Sequence, residues 1–321
     1  MRNFVDYYIK YTERIKDIND AAVNAPGELV AQMERQYRKR IEEIADFLYY
    51  NGRGGNKLIM LAGPSSSGKT TTACMLCERL EWLGVRARRI SLDEFFLGKE
   101  KSPKLPDGTP DLESVHALNI PQMQECLLGL IEKGECMMPR FSFTKQRPED
   151  ELVHVKLGEN DVVIVEGIHA LNPLVTDCLP DDRMLKIYIS VKQGISEGDR
   201  EIISAYELRL CRRIVRDMLF RGSSPEFTFE LWPKVLEGEN KYIQPYKRLA
   251  NVTINSIHIY EPCVISQIAL PLLRRITKDS PYYEQAVQLS EKLELFQSLP
   301  TDLIPANSLM REFFGNSIYK V

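Results

Sequence analysis

The sequence has no long apolar run and no excess of positive charge. Its apolar stretches, such as residues 58–62 and 162–165, are far shorter than the roughly 20 residues of a membrane-spanning helix. The first residues are charged and aromatic and contain no apolar segment typical of a secretion signal. Lys and Arg total 42 against 45 for Asp and Glu, a net charge of -3, so no global positive field would attract nucleic acid or an anionic membrane. We therefore predict a cytoplasmic protein that binds neither.

The number and spacing of the cysteines and histidines indicate neither a disulfide framework nor a zinc site. The seven cysteines are an odd number scattered from Cys74 to Cys263 in a long chain, so we expect free thiols. Cys74 and Cys77 form a C-x-x-C pair, but no second pair or histidine cluster completes a metal site. Both lie in a segment with helical periodicity, which favours a packing role.

Apolar periodicity divides the chain into a helical start and an alternating centre. Residues 4–50 have the three- and four-residue spacing of an amphipathic helix, and NGRGGN at residues 51–56 interrupts it. Strands are predicted at residues 57–62, 88–92, 162–165, 185–191 and 252–255, and helices at 69–83, 120–133, 200–221 and around 270 and 285. Alternating strands and helices predict an α/β fold: a doubly wound, mainly parallel sheet with helices on both faces.

A phosphate-binding loop lies between the first predicted strand and the next helix. Residues 63–70, GPSSSGKT, match G-x-x-x-x-G-K-[ST] at every fixed position. Gly63 and Gly68 allow the backbone N–H groups to turn onto phosphate oxygens, and the helix N-terminus adds positive charge. Lys69 would reach the β and γ phosphates, and the Thr70 hydroxyl would bind Mg²⁺. The predicted ATP-binding residues are Gly63, Ser65, Ser66, Ser67, Gly68, Lys69, Thr70 and Thr71.

Two carboxylates stand where predicted strands end. Asp93 follows the second strand and Glu166 ends the third. In a doubly wound sheet, ligands bind at the carboxyl ends of the strands, so both side chains would face the Mg²⁺ at Thr70. Either residue alone is also compatible with a helix cap or a solvated carboxylate.

Several sequence blocks together resemble one family. They are GPSSSGKTT, SLDEFF, PRFSF, VVIVEGIHALNP, LRLCRRIVRD and the tail NSLMREFFG. In this order they resemble the uridine kinase and phosphoribulokinase group of P-loop kinases, in particular its bacterial nucleoside kinase branch. The resemblance implies that Asp93 accepts the proton of the substrate hydroxyl beside the metal, that Glu166 replaces the usual Walker B aspartate as a metal ligand, and that Asp111 binds ribose hydroxyls. Asp111 after proline is also typical of a turn.

The resemblance also assigns roles outside the loop. The helix that carries Arg209, Arg212, Arg213 and Arg216 would belong to a lid over ATP, where Arg213 and Arg216 stabilise charge on the transferred phosphoryl group. An arginine-rich helix is also compatible with a solvated face. His169 would line the substrate pocket, and a buried structural histidine is the alternative.

The acceptor pocket departs from the family pattern. The PRFSF block contributes Arg140 and Phe141, and Gln146 follows it. In pyrimidine-specific members a tyrosine and a histidine are expected at the positions of Phe141 and Gln146, where they hold the base. This difference predicts weak or altered selectivity for the base.

These observations predict an ATP- and Mg²⁺-dependent kinase that phosphorylates a hydroxyl of a small, nucleoside-like acceptor. A kinase of another polyol, sugar or sugar phosphate, and an ATP-binding regulator without acceptor turnover, are the alternatives. We divide the chain into an N-terminal helical segment (1–50), a P-loop kinase domain (51–275) with a lid at about 195–240, and a C-terminal helical extension (276–321). The helical start could pair with a second subunit, so a homo-oligomer is possible.

Overall fold

Short β-branched and aliphatic runs form the central sheet. The computed structural model describes residues 10–51, 57–142 and 145–319. The strands are β1 (Lys57–Ala62), β2 (Ala87–Ser91), β3 (Glu135–Met138), β4 (Phe141–Ser142), β5 (Arg147–Pro148), β6 (Val153–Lys156), β7 (Val162–Glu166), β8 (Met184–Ser190), β9 (Ile195–Glu197), β10 (Arg200–Ile203) and β11 (Val252–Asn255). The α-helices are α1 (Ile15–Asn24), α2 (Pro26–Asn51), α3 (Lys69–Trp82), α4 (Ile120–Glu132), α5 (Pro173–Thr176), α6 (Ala205–Arg221), α7 (Pro225–Tyr242), α8 (Glu261–Leu273), α9 (Tyr283–Leu293) and α10 (Arg311–Phe314).

The main sheet has the strand order β11-β8-β1-β7-β2, and all four pairings are parallel. Every residue of β7 is buried, as expected of a strand covered on both faces. The α/β prediction is confirmed, and the five predicted strands of this sheet are found within one residue of their predicted ends.

Alternate side chains of β1 enter two different cores. Leu58 and Met60 pack in the cluster that contains Leu127 of α4, whereas Ile59 and Leu61 pack in the larger cluster with α2, α3, α6 and α8. This alternation follows from the two-residue period of a strand. Helices therefore cover both faces of the sheet, so a ligand site is expected at the carboxyl ends of the strands.

The arginine-rich helix begins later than predicted. The prediction of a helix from residue 200 is wrong for its first turn, because Arg200–Ile203 pairs with β9 as an antiparallel strand. Ser204 then starts α6: its hydroxyl accepts the N–H of Glu207, and the Glu207 carboxylate accepts the N–H of Ser204. This reciprocal cap fixes the helix start, and the buried Ile202 and Ile203 favour the strand before it.

The N-terminal segment consists of two helices, because Pro26 begins α2 and its ring cannot continue α1. Tyr37, Ile41 and Ile44 of α2 are buried in the larger core. The predicted helical residues 4–9 and the predicted break at 52–56 lie outside the described residues.

The segment that contains α10 packs beside the phosphate loop, where the Leu309 side chain lies against Gly68. Leu309, Met310 and Phe313 are fully buried in the larger core.

All seven cysteines are free thiols, as predicted. None of the helices in the described ranges has the length and hydropathy that a membrane span needs.

Candidate active site

The phosphate loop connects β1 to α3, as predicted. Gly68 is the N-cap of α3 with φ 87°, a left-handed conformation that favours glycine. A Cβ at Gly68 would collide with the side chain of Leu309, and a Cβ at Gly63 would collide with the carbonyl oxygen of Ile189. Packing therefore requires glycine at both positions, and the left-handed backbone conformation favours it at Gly68 as well.

The loop carries buried polar groups that have no hydrogen-bond partner among the described residues. The hydroxyl oxygens of Ser66 and Ser67 are buried and make no hydrogen bond within the described residues. Buried polar groups are normally paired. These two hydroxyls could donate hydrogen bonds to the phosphate oxygens that the loop is predicted to hold.

Lys69 lies between the loop and the acidic residues. Its Nζ donates to the carbonyl oxygen of Pro64 at 3.0 Å. Burial lowers the pKa of Lys69, while Glu166 and Asp93 oppose that shift and favour the charged form. The ammonium group is thus held beside two carboxylates at the end of the sheet.

Glu166 ends β7 and lies opposite Leu61 of β1 in the parallel register. Its Oε1 accepts the Thr70 hydroxyl at 3.4 Å and lies 3.4 Å from the Arg89 guanidinium. Burial, and after it the charge of Asp93, raises the pKa of Glu166 to about 7. The positive charges of Lys69 and Arg89 act in the opposite direction. The parallel register therefore brings this carboxylate next to the first turn of α3, which carries Lys69 and Thr70.

Asp93 lies two residues past β2 in the 3₁₀ helix Leu92–Phe95. The hydroxyl of Ser91 caps this short helix by accepting the N–H of Asp93 at 3.3 Å, so the Asp93 side chain is not its cap. Burial raises the pKa of Asp93, and the charges of Lys69 and Arg221 lower it. The structure therefore brings Asp93, Glu166, Lys69 and Thr70 to one edge of the sheet.

The oxygen atoms of Thr70, Asp93 and Glu166 fit a magnesium ion. Mg²⁺ prefers hard oxygen ligands and is usually held by one or two carboxylates together with substrate phosphates. Within the described ranges no three His, Cys, Asp or Glu side chains gather as a metal site. Two carboxylates and a hydroxyl are the kind of ligands that Mg²⁺ uses together with nucleotide phosphates.

Two arginines of α6 hold the outer side of the phosphate loop. Arg209 donates to the carbonyl oxygen of Ser65 at 2.9 Å and pairs with Glu239. Arg212 donates to the carbonyl oxygen of Ser66 at 3.3 Å and pairs with Glu261 at 2.6 Å. Both guanidinium groups are buried, so neither lies on a solvated face. They hold the carbonyl oxygens of Ser65 and Ser66 on the α6 side of the loop.

The other arginines of α6 share one aspartate. Arg213, Arg216 and Arg221 contact Asp217 at 3.2, 2.7 and 3.5 Å. Arg213 also donates to the Ser65 hydroxyl at 3.0 Å. Arg221 and Asp217 were absent from the predicted site, although the four-residue spacing of Arg213, Asp217 and Arg221 is a recognisable helical pattern. The closing movement of the predicted lid stays a prediction.

A cavity of about 160 Å³ lies between α7 and the loop that precedes α4. Its lining includes Asp111, Glu113, Arg213 and Tyr242. The Tyr242 hydroxyl donates to Asp111 at 2.9 Å. Burial raises the pKa of Glu113 to about 7, opposed by Arg213 and Lys69. Glu113 is not among the predicted site residues, because a single acidic residue in a loop has no local sequence pattern that marks it as functional.

His169 lies behind this cavity. Its ring meets the Tyr242 ring edge-on, with the ring centroids 6.3 Å apart. Burial lowers the pKa of His169 to about 4, so the ring is neutral at pH 7. A hydrogen-bonding interaction with the backbone of Glu113 favours the charged imidazole, which links His169 to a residue that lines the cavity.

The predicted base-binding residues lie on the hairpin of β4 and β5. The N–H of Phe141 donates to Glu94 at 2.8 Å, and its ring lies 5.8 Å from the Phe96 ring. Arg140 and Gln146 are exposed, and neither lines the cavity. The structure therefore connects Phe141 to the Asp93 segment and leaves Arg140 and Gln146 at the surface. Phe143 of the PRFSF block lies outside the described residues.

The chain matches one family model and is similar to several known proteins. The sequence model of the phosphoribulokinase / uridine kinase family matches residues 58–261. A uridine kinase of Bacillus pumilus is 28% identical over 198 residues, which cover 61% of this chain and 85% of that protein. A uridine kinase of Bacillus subtilis is 25% identical over 203 residues, covering 63% and 87%. A solved structure described as a possible uridine kinase from Bacillus stearothermophilus has a TM-score of 0.48 at 14% identity and covers 68% of this chain and 99% of that one.

Proposed function

Because the chain belongs to the phosphoribulokinase and uridine kinase family, we propose that it transfers the γ-phosphate of ATP, with Mg²⁺, to a hydroxyl of a small, nucleoside-like acceptor. The observation that carries the proposal is the convergence of Lys69, Thr70, Asp93 and Glu166 at the end of the sheet. Phosphoryl transfer depends mainly on positioning and charge stabilisation, and these side chains supply both.

Each residue has a separate task in this proposal. Thr70, Asp93 and Glu166 would hold Mg²⁺, which neutralises phosphate charge when bound. Asp93 would accept the proton of the attacking hydroxyl, and burial raises its pKa, which makes it a stronger general base. Arg213 and Arg216, fixed by Asp217, would stabilise charge on the phosphoryl group.

The acceptor is proposed to bind in the cavity of Asp111, Glu113 and Tyr242. Carboxylates accept hydrogen bonds from sugar hydroxyls, and the neutral His169 ring can donate or accept. The relatives named uridine kinase favour a nucleoside-like acceptor.

A second candidate is a kinase of a polyol, sugar or sugar phosphate. It is favoured by the carboxylates of Asp111, Glu113 and Glu237, which line the cavity, and by the surface positions of Arg140 and Gln146. Such a pocket offers hydroxyl recognition without dedicated polar contacts to a base.

The test is a panel of acceptors with ATP and Mg²⁺, in which phosphorylated products are identified by mass spectrometry. Uridine, cytidine and inosine represent nucleosides, and ribose and glycerol represent acceptors without a base. Phosphorylated nucleosides support the first candidate, and products from the base-free acceptors alone support the second. ATP binding without any phosphorylated product would contradict both.

A further inference from the structure

A carboxylate from the end of the chain contacts the phosphate loop. Glu312, in α10, accepts the N–H of Thr71 at 3.2 Å and the Thr71 hydroxyl at 2.8 Å, through the same Oε2 atom. The two residues are 241 positions apart in the sequence. Thr71 is the third residue of α3, and the N–H groups in the first turn of a helix have no partner within the helix.

The position of this carboxylate is set by packing. The Leu309 side chain lies against Gly68 of the loop, and Leu309 and Phe313 are fully buried. The Arg311 guanidinium donates to the carbonyl oxygen of Thr301 at 2.9 Å and also to that of Ile304. The backbone of α10 is therefore anchored beside the loop, and only rotation of the Glu312 side chain is needed to free the Thr71 donors.

A carboxylate at the N-terminus of a phosphate-loop helix has the chemistry of a bound phosphate. It is an anion that accepts hydrogen bonds from a backbone N–H and a hydroxyl where the helix dipole favours negative charge. Thr71 directly follows Lys69 and Thr70, which are proposed to bind ATP and Mg²⁺. The charge of Glu312 raises the pKa of Lys69 and of Glu166, so it acts within the same electrostatic site.

We propose that Glu312 is an internal competitor of the nucleotide: its carboxylate occupies a phosphate position at Thr71, and ATP binds by displacing it. The inference rests on the proposed function, because it takes the loop as the ATP site. Glu312 then stabilises the nucleotide-free protein and lowers its affinity for ATP. A simple helix cap would stabilise both states, so the two roles differ in their effect on binding.

The experiment measures ATP·Mg²⁺ affinity by isothermal titration calorimetry and thermal stability without nucleotide, for wild type and Glu312→Gln. The amide keeps the shape of the side chain and removes its charge. We expect the Kd for ATP·Mg²⁺ to fall about fivefold or more, within the usual range of coupling between two sites, and the melting temperature of the nucleotide-free protein to fall. Glu312→Ala should change both quantities in the same directions.

Glu78→Gln is the matched control. Glu78 also lies on α3 and also contacts the tail, since it accepts the Tyr319 hydroxyl at 2.5 Å, but it is beyond the first turn of the helix. The Kd for ATP·Mg²⁺ should not change in this variant.

The outcomes separate the inference from the proposed function. If wild type binds ATP·Mg²⁺ and both Glu312 variants bind it equally or more weakly, Glu312 is a cap and the inference is wrong, while the proposed function stands. If neither wild type nor the variants bind ATP·Mg²⁺, the proposed function fails and the inference fails with it.

Discussion

The Thr70 hydroxyl donates to Oε1 of Glu166 at 3.4 Å, which joins the first turn of α3 to the end of β7. The contact arises because β7 pairs in parallel with β1, the strand that leads into the phosphate loop. Two predicted metal ligands, Thr70 from the loop and Glu166 from a strand end, are therefore adjacent. Lys69 and Asp93 are close enough to shift the pKa of Glu166.

The first prediction concerns Lys69. We expect Lys69→Ala to lower kcat/KM for acceptor phosphorylation by at least about a hundredfold, comparable to the loss of one preorganised contact to developing charge. The fold should persist, because the ammonium contacts the loop rather than the hydrophobic core. Activity and thermal melts would be compared with Lys101→Ala, which changes an exposed lysine. Wild-type turnover in a folded Lys69→Ala protein would remove the loop from the mechanism.

The second prediction concerns the metal. Replacing Glu166 by Gln removes one anionic ligand, so the Mg²⁺ concentration for half-maximal activity should rise about tenfold, the usual scale for losing a group around a metal. The control is Glu159→Gln, which changes an exposed carboxylate before the same strand. An unaltered magnesium titration for Glu166→Gln would contradict its assignment as a metal ligand.

The third prediction is a pH dependence of stability caused by Glu113. Its pKa is raised to about 7 in the folded protein, so between the usual carboxylate pKa of about 4.3 and pH 7 the folded state holds a proton that the unfolded state has lost. Stability contributed by this group therefore falls as the pH rises through that window. Glu113→Gln removes the cost of ionising a buried carboxyl group. The free energy of unfolding of this variant, relative to wild type, should therefore be higher at pH 8 than at pH 5, by on the order of 1 kcal/mol.

Urea denaturation at both pH values would measure this difference. Glu237→Gln changes an exposed carboxylate at the rim of the same cavity and should show no comparable trend. A difference between Glu113→Gln and wild type that is the same at pH 5 and pH 8 would show that burial does not perturb Glu113.

The fourth prediction concerns the base of the acceptor. Phe141 offers an aromatic surface without a hydroxyl, and Gln146 is exposed on its hairpin, so few buried polar groups would be left unpaired by a wrong base. We expect kcat/KM for uridine and inosine to differ by less than about a thousandfold, because strong discrimination requires such groups. A larger preference for uridine, measured with purified enzyme, would mean that other residues read the base.

The sequence predicted the parts of the site that depend on local pattern and strand order. Asp93 and Glu166 are predictable because Asp93 follows one strand of a parallel sheet and Glu166 ends another, and the carboxyl ends of such strands lie on the same side of the sheet. The contact of Glu312 with Thr71 was not predictable, since it depends on how α10 packs beside the loop. The buried pairs of Arg209 and Arg212 were missed for a similar reason: helical spacing shows which arginines share a face, but not which carboxylate covers them.

The most direct test of the proposed kinase is the effect of Asp93→Asn on catalysis and on ATP binding, measured on the same preparation. The side chain keeps its shape but cannot accept the proton of the attacking hydroxyl, whereas the loop amides and Lys69 still bind phosphate. With the best acceptor of the panel and saturating Mg²⁺, we predict that kcat falls by about a hundredfold or more, the scale of a positioned general base. At the same Mg²⁺ concentration the Kd for ATP should change by less than about threefold, because the loop holds the phosphates independently of Asp93. An unchanged kcat for Asp93→Asn would contradict the proposed mechanism.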